Sequence, residues 1–191
     1  MYQGRWMNVA LIVVLGLIGL TGSISAKAAP KEGKLVKFEG KLINLAEHWG
    51  EAQACAIWDQ ADASECFRTI AELDQHVSAV TRAQQKLIET SDIRTMVACS
   101  SPLQLFENTN FNLNVSGRVL RFYDRNIWQN LSDFNDQMSS YKTGACSANL
   151  AENSNGGGLF YPGNTNAFVN SSCMCAGSTG WNDRVSSIRV N

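Results

Sequence analysis

The sequence predicts an antiparallel, all-β double Greek-key sandwich in the C-terminal half, preceded by a small α+β segment. Three observations carry this prediction. Beyond Ala98-Cys99-Ser100-Ser101-Pro102 the composition shifts toward Asn, Gly and Ser, and helical periodicity gives way to short alternating runs. A hexapeptide recurs: Asn135-Asp136-Gln137-Met138-Ser139-Ser140 returns as Asn182-Asp183-Arg184-Val185-Ser186-Ser187, each copy directly behind an aromatic residue, Phe134 or Trp181. A second pair, Leu105-Phe106-Glu107-Asn108 and Leu150-Ala151-Glu152-Asn153, recurs at nearly the same spacing, so a whole unit is repeated. At about 45 residues and four strands, each unit has the length of one Greek key.

The N-terminus comes first. Arg5, the apolar run Val9 to Leu20 and the small residues Thr21 to Ala29 have the grammar of a secretory signal peptide, with cleavage after Ala26 or Ala28. The apolar run is well short of the roughly 20 residues a spanning helix needs. Residues 1–28 are therefore expected to be removed and the protein to be secreted. The remaining chain, about 163 residues, suits one moderate domain or two small ones. The formal net charge of the whole chain is -1. Without a basic patch, neither nucleic acid nor membrane is expected as the main partner. All six cysteines (Cys55, Cys66, Cys99, Cys146, Cys173, Cys175) follow the signal peptide. An even count in that setting reads as a disulfide set in an oxidising compartment.

Residues 29–98 make up the α+β segment. Leu35, Phe38, Leu42, Leu45 and Trp49 recur at three- or four-residue steps, which predicts a weakly amphipathic helix within Lys31 to Gly50, although Gly33 and Gly40 disfavour it. Two short strands follow, Ala54 to Trp58 and Glu65 to Arg68, joined by the polar turn Asp59 to Ser64. Cys55 and Cys66 then face each other across a hairpin and are expected to form a disulfide. Thr69-Ile70-Ala71-Glu72 has the capping-box form. It predicts a helix to about Glu89, with Ile70, Leu73, Val77, Val80, Ala83 or Gln84, and Leu87 along one face. His48 and His76, the only histidines, have no Cys or His partner at ligand spacing and read as structural. With so few histidines no Ser/His/acid or Cys/His set is formed, and the chain reads as a binding or structural protein rather than an enzyme.

Residues 99–191 carry the repeat. Leu103 to Phe106, Arg118 to Tyr123, Ala148 to Leu150, Gly158 to Tyr161 and Ser187 to Val190 are the strand candidates. Within each hexapeptide the apolar residue, Met138 or Val185, is placed to point into the core while its polar neighbours point out. A single Asn-Asp-x-x-Ser-Ser stretch would read as a structural turn, since Asn, Asp and Ser form turns by themselves. Two copies, each with its own upstream glutamate (Glu107 or Glu152), call for more than a turn.

Here the chain resembles a known family, the βγ-crystallin domains, whose calcium-binding members carry an Asn/Asp-Asn/Asp-x-x-Ser/Thr-Ser stretch in each of two Greek keys. Both copies match without substitution over a region running from about Ser101 to Asn191. The family also places an aromatic-x4-aromatic-x-Gly hairpin early in each key. The first copy keeps Phe106 and Phe111 but has Leu113 at the glycine position; the second keeps Gly158 but has Ala151 and Gly156 at the aromatic ones. More loosely, the segment around Cys66-Phe67-Arg68-Thr69 is similar to one found ahead of such domains in a class of secreted bacterial peptidase inhibitors.

The resemblance implies calcium as the bound ion, in two sites that exchange ligands between paired bends. Its residue-by-residue counterpart here is a set of side-chain ligands, Asp136, Asp183, Ser139 and Ser186, with the backbone carbonyls of Glu107, Glu152, Gln137 and Arg184 and with water. Asn135 and Asn182 brace the bends. Calcium takes six to eight oxygens, and a site with about one carboxylate is expected in the roughly 10⁻⁵ to 10⁻³ M range. The charge of Arg184 is expected to weaken its site. The resemblance also implies a rival function, inhibition of a secreted protease through a disulfide-held loop, for which Leu159 to Cys175 is the candidate. Cys173-Met174-Cys175 lacks a second ligand pair for a metal, and its cysteines are expected to bridge to Cys99 and Cys146. Gly156-Gly157-Gly158 lacks the Lys-Ser/Thr of a phosphate loop and reads as a flexible hairpin tip.

Overall fold

The computed structural model describes residues 33–58, 64–90, 99–162, 166–175 and 180–191, with side chains undescribed at 81 and 83–90. The expected signal peptide, most of the turn Asp59 to Ser64 and the Leu87 side chain lie outside these residues.

Eleven strands and one long helix are described: β1 (Leu35–Phe38), β2 (Lys41–Asn44), β3 (Ala54–Ile57), β4 (Glu65–Phe67), α1 (Ile70–Thr90), β5 (Leu103–Phe106), β6 (Val119–Phe122), β7 (Trp128–Asn130), β8 (Ser140–Lys142), β9 (Ala148–Ala151), β10 (Asn170–Ser171) and β11 (Ser187–Val190). They form an eight-stranded sheet in the order β10-β8-β5-β6-β3-β4-β1-β2 and a three-stranded sheet in the order β7-β11-β9. This is the all-β Greek-key architecture predicted for the second half, with the first half added to one of its sheets.

The two keys are related strand by strand. In the first, β5 pairs antiparallel with β6 and β8. In the second, β9 pairs antiparallel with β11, and a single bridge from Ala151 to Phe160 stands where a full second strand was expected at Gly158 to Tyr161. The third strands cross over. β7 of the first key pairs with β11 of the second, and β10 of the second pairs with β8 of the first. Neither sheet is complete without a strand from the other key.

The main core lies between the sheets and takes Leu103, Leu105, Leu120, Phe122, Phe134, Met138, Leu150, Val185, Ile188 and Val190. Met138 and Val185 are fully buried, as their apolar position in each hexapeptide predicts. Burying each of these large side chains stabilises the fold by about 1.5–3 kcal/mol.

The N-terminal segment enters through β3, which pairs parallel to β6 from Ala54↔Val119 to Ile57↔Phe122. Along β3 the side chains alternate: Cys55 and Ile57 join the main core, while Ala54, Ala56 and Trp58 meet Leu73 of α1 together with Phe106, Val119 and Tyr123. Both faces are covered, which is why the run Ala-Cys-Ala-Ile is apolar without alternation. The expected boundary at residues 98–99 therefore separates two stretches of sequence but not two sheets.

Helix α1 starts where the capping box predicts: Thr69 Oγ1 accepts from the Glu72 N–H at 3.2 Å, and the Glu72 carboxylate accepts from the Thr69 N–H at 3.3 Å. Leu73 is buried, but Ile70, expected on the same face, is exposed. The helix expected within Lys31 to Gly50 is instead the β1–β2 hairpin. Glu39 and Gly40 both have positive φ, 49° and 76°, the backbone of a two-residue hairpin turn that ends any helix. Leu35 and Leu42, counted toward a helical face, lie on the exposed side of the ribbon.

Cys55 and Cys66 sit directly opposite each other on β3 and β4 and are bridged, as expected. The other pairing differs. Cys99 bonds Cys146, and Cys173 bonds Cys175. Hydrogen bonds from Cys99 N–H to Tyr123 O and from Ala145 N–H to Ser101 O bring the first two together. Met174 N–H instead bonds Ser139 O, ahead of β8, whereas Cys146 follows that strand.

Trp58 joins the two segments, stacking on Tyr123 at 4.3 Å between ring centroids. Trp58→Ala should cost about 3–5 kcal/mol and leave one cooperative transition in chemical unfolding followed by tryptophan fluorescence and circular dichroism. A variant whose N-terminal segment unfolds in a separate early step would contradict a shared core.

Candidate metal centre

Each hexapeptide is a bend made by one left-handed residue. Asp136 has φ 53° and Asp183 has φ 56°. Short polar side chains tolerate that region because they bond locally. Here the preceding asparagine does so: Asn135 Nδ2 donates to Asp136 Oδ2 at 2.9 Å, and Asn182 Nδ2 to Asp183 Oδ2 at 2.6 Å. Both asparagines thus brace the bend and orient the carboxylate.

The bends are bonded to each other. The Asp136 N–H donates to Val185 O at 3.1 Å, and the Asp183 N–H donates to Met138 O at 3.2 Å. Each also holds the strand that leads to its glutamate. Ser139 N–H donates to Phe106 O at 3.0 Å and Ser186 N–H to Ala151 O at 2.9 Å. Phe106 and Ala151 immediately precede Glu107 and Glu152, so each glutamate backbone is brought beside the hexapeptide of its own key.

The two serines of each hexapeptide have different work. The second of each pair is fully buried and closes the neighbouring hairpin. Ser140 Oγ donates to Asn108 O at 2.6 Å and accepts from Phe111 N–H at 3.1 Å. Ser187 Oγ donates to Asn153 O at 2.6 Å and accepts from Gly156 N–H at 3.0 Å. The first of each pair, Ser139 and Ser186, is 8% exposed, and among the described residues its hydroxyl has no hydrogen-bond partner. Two hydroxyls left free of protein partners in equivalent positions are open to an external ligand that takes oxygen donors.

The electrostatics fit the same ligand. Asp183 is exposed, but partial desolvation beside the bend pushes its carboxyl above its usual range, and the charges of Asp136 and Glu107 push it further. Three carboxylates thus lie within electrostatic reach of one another, an arrangement that a cation relieves. The glutamate side chains themselves are engaged elsewhere. Glu107 accepts from the Arg118 N–H at 2.8 Å and from its guanidinium at 2.7 and 3.0 Å. Burial opposes ionisation of Glu107, but these bonds and the arginine charge hold its carboxyl below the usual range. Glu152 is ion-paired to Arg184 and accepts from Leu159 N–H, which lowers it likewise. The carbonyls of Glu107 and Glu152, rather than their carboxylates, remain as donors.

The Arg184 charge expected to weaken its site is met by Glu152, and its guanidinium lies over the Trp181 ring at 5.0 Å. Among the described residues no group of three His, Cys, Asp or Glu side chains converges on one point, so a metal here must draw on carbonyls, hydroxyls and water. That donor chemistry suits calcium and not zinc.

Sequence reasoning missed one network. Arg118 also bonds Asp133 at 3.2 Å and lies over the rings of Trp49, at 5.0 Å, and Phe134, at 5.4 Å. Trp49 Nε1 donates to Asp133, whose carboxyl burial raises above its usual range. The N-terminal segment is thereby tied to Glu107 and to the start of the first hexapeptide. No repeat signal marks these residues, because the second copy has Gly180 where the first has Asp133.

The departures from the aromatic hairpin pattern are resolved differently in the two copies. Phe106 and Phe111 meet edge to face at 5.6 Å. In the second copy the Trp128 ring fills the position, so close to Gly156 that a Cβ there would meet it at 2.3 Å. Trp128 also stacks on Phe160. The loop Leu159 to Cys175 is not clamped as a protease-binding loop was expected to be: Cys173 and Cys175 bridge each other, and neither is joined to Cys99 or Cys146.

No protein-family model and no curated protein matches the chain. Among solved structures, 47% of the chain resembles βγ-crystallin domains. A βγ-crystallin domain from Flavobacterium johnsoniae is 28% identical over 47% of this chain and 92% of that one, with a TM-score of 0.34. One from Clostridium beijerinckii is 19% identical over 47% and 95%, at a TM-score of 0.31. The N-terminal domain of Protein S is 22% identical over 47% and 94%, at 0.35.

The raised Asp183 carboxyl has a defined consequence. The folded state binds this proton more tightly than the unfolded state, so its contribution to stability is present at low pH and is lost as pH rises through the folded titration. Asp183→Asn should therefore raise the calcium-free melting temperature at pH 7. The gain should vanish at a pH below the normal carboxylate range. Thermal melts in chelator at the two pH values check this, and a variant less stable than its parent at pH 7 would contradict the repulsion.

Proposed function

We propose that this chain is a secreted calcium-binding protein, a binding and structural module in which two paired hexapeptides hold two calcium ions and the ions stabilise the fold. The reciprocal bonding of the two bends carries this reading. It sets Asp136 and Asp183 against each other beside the unpartnered hydroxyls of Ser139 and Ser186. The side chains of Asp136, Asp183, Ser139 and Ser186 are the ligands, with the carbonyls of Glu107, Gln137, Glu152 and Arg184 and with water. Calcium would supply positive charge where the carboxylates of Asp136 and Asp183 repel each other. The chain's part is to orient these oxygens on bends that are already formed.

Secretion is supported by the signal-peptide grammar of residues 1–28 and by six cysteines that all pair. Extracellular calcium, near millimolar, matches a site with few carboxylates and a dissociation constant of roughly 10⁻⁵ to 10⁻³ M. An ion that binds the folded state alone stabilises it by RT ln(1 + [L]/Kd), about 2.7 kcal/mol at a hundredfold excess over Kd.

The test is a melting curve in millimolar calcium against chelator. A rise of several degrees is expected for the parent, and none for a variant carrying both Asp136→Ala and Asp183→Ala. Equal melting temperatures for the parent in calcium and in chelator would overturn the proposal.

A further inference from the structure

We propose that the Cys173–Cys175 disulfide is a thiol–disulfide exchange site, a bridge that opens and recloses while the fold stands. The inference does not depend on calcium binding. It rests first on loop size. The three bridges span sequence separations of 2, 11 and 47 residues, and this one is the shortest. The stabilisation a cross-link provides by restricting the unfolded chain grows with the loop it closes. A bridge between residues two apart restrains the unfolded chain least of the three, so the fold depends on it least.

Access separates it further. Cys173 is exposed and Cys175 half-buried, whereas Cys55 and Cys66 are both buried and the half-buried Cys146 is joined to a buried Cys99, so only this bridge has an exposed sulfur-bearing residue. Exposed disulfides are the readily reduced ones, and buried structural ones resist. The residue between the two cysteines is independently fixed. Met174 is 1% exposed, and its N–H donates to Ser139 O at 2.8 Å. Ser171 Oγ donates to Cys173 O at 3.0 Å. With Met174 docked, both thiols stay near the 5.0 Å Cα separation of the bridged form and are held ready to reclose.

The geometry also gives the cysteines different roles. Cys175 N–H donates to Cys173 Sγ at 3.1 Å, which favours negative charge on that sulfur. Cys173 is then the thiolate nucleophile of the reduced pair and Cys175 the resolving thiol. The partner class is a low-molecular-weight thiol or its disulfide. In the reductive direction an external thiolate attacks Cys173 Sγ, the bond between the two cysteines breaks, and Cys175 leaves as a thiolate that takes up a proton. A second external thiolate attacks the outer sulfur of the mixed disulfide and releases the Cys173 thiolate. Two thiols are oxidised to one disulfide, and the protein disulfide is reduced to two thiols. Reoxidation is the reverse.

The test equilibrates the full folded chain in glutathione buffers of increasing reduced-to-oxidised ratio, traps free thiols with iodoacetamide and maps them by mass spectrometry. Tryptophan fluorescence is followed in parallel. Cys173 and Cys175 should become alkylated at a ratio at least about tenfold below that needed for the other four, with fluorescence unchanged and with full recovery in oxidised glutathione. A Cys173→Ser, Cys175→Ser double variant should melt within a few degrees of the parent and lose the first step. Release of all six thiols at one ratio, loss of fluorescence together with the first step, or a peptide linking Cys173 or Cys175 to Cys99 or Cys146 would overturn the proposal.

Discussion

Two backbone hydrogen bonds, Asp136 N–H to Val185 O and Asp183 N–H to Met138 O, decide much of this structure. They are mutual, so neither bend is held without the other. They also explain why the repeat exists: a single Asn-Asp-x-x-Ser-Ser bend would have no equivalent partner for its exposed amide. Around them the sheets follow suit. The apolar residue of each hexapeptide is buried in the common core, and the crossing of β7 and β10 makes each sheet a product of both keys. Folding the first key alone would leave the Asp136 N–H and the Met138 carbonyl without these partners, β8 without β10 and β7 without β11.

Within that symmetry the copies diverge. The first glutamate is secured by Arg118, which reaches Asp133 and the Trp49 ring and so ties the site to the N-terminal segment. The second is secured by Arg184, from within the hexapeptide itself. The outer edges diverge too. β6 is covered by β3, whereas the equivalent edge of the second key is reduced to one bridge at Phe160. The two halves of the site are therefore held by different partners, and the first key is joined through β6 and β3 to the rest of the eight-stranded sheet.

Much of the fold is legible in the sequence because strands with strong alternation announce themselves. Leu103–Phe106 and Ser187–Val190 are found at their predicted ends, and the capping box starts α1 where expected. What escapes is short or contextual. β7, β8 and β10 are two or three residues long and carry no period to read. The β1–β2 hairpin imitates a helix because its apolar residues fall by accident at helical steps, and only the Glu39-Gly40 turn betrays it. The partners of Cys99 and Cys173 depend on which loops the Greek keys bring together, which no spacing encodes. For the site, the bracing asparagines and the buried Met138 and Val185 follow from the hexapeptide pattern. The Arg118–Asp133–Trp49 network does not, since it joins three distant segments and occurs once.

Equilibrium dialysis of the full chain against calcium across the micromolar to millimolar range, with free and bound calcium counted, addresses the paired site most directly. Two ions per chain, both lost from the Asp136→Ala, Asp183→Ala variant, is the result that the reciprocal bends predict. No bound calcium at millimolar concentration, or binding unchanged in that variant, would contradict it.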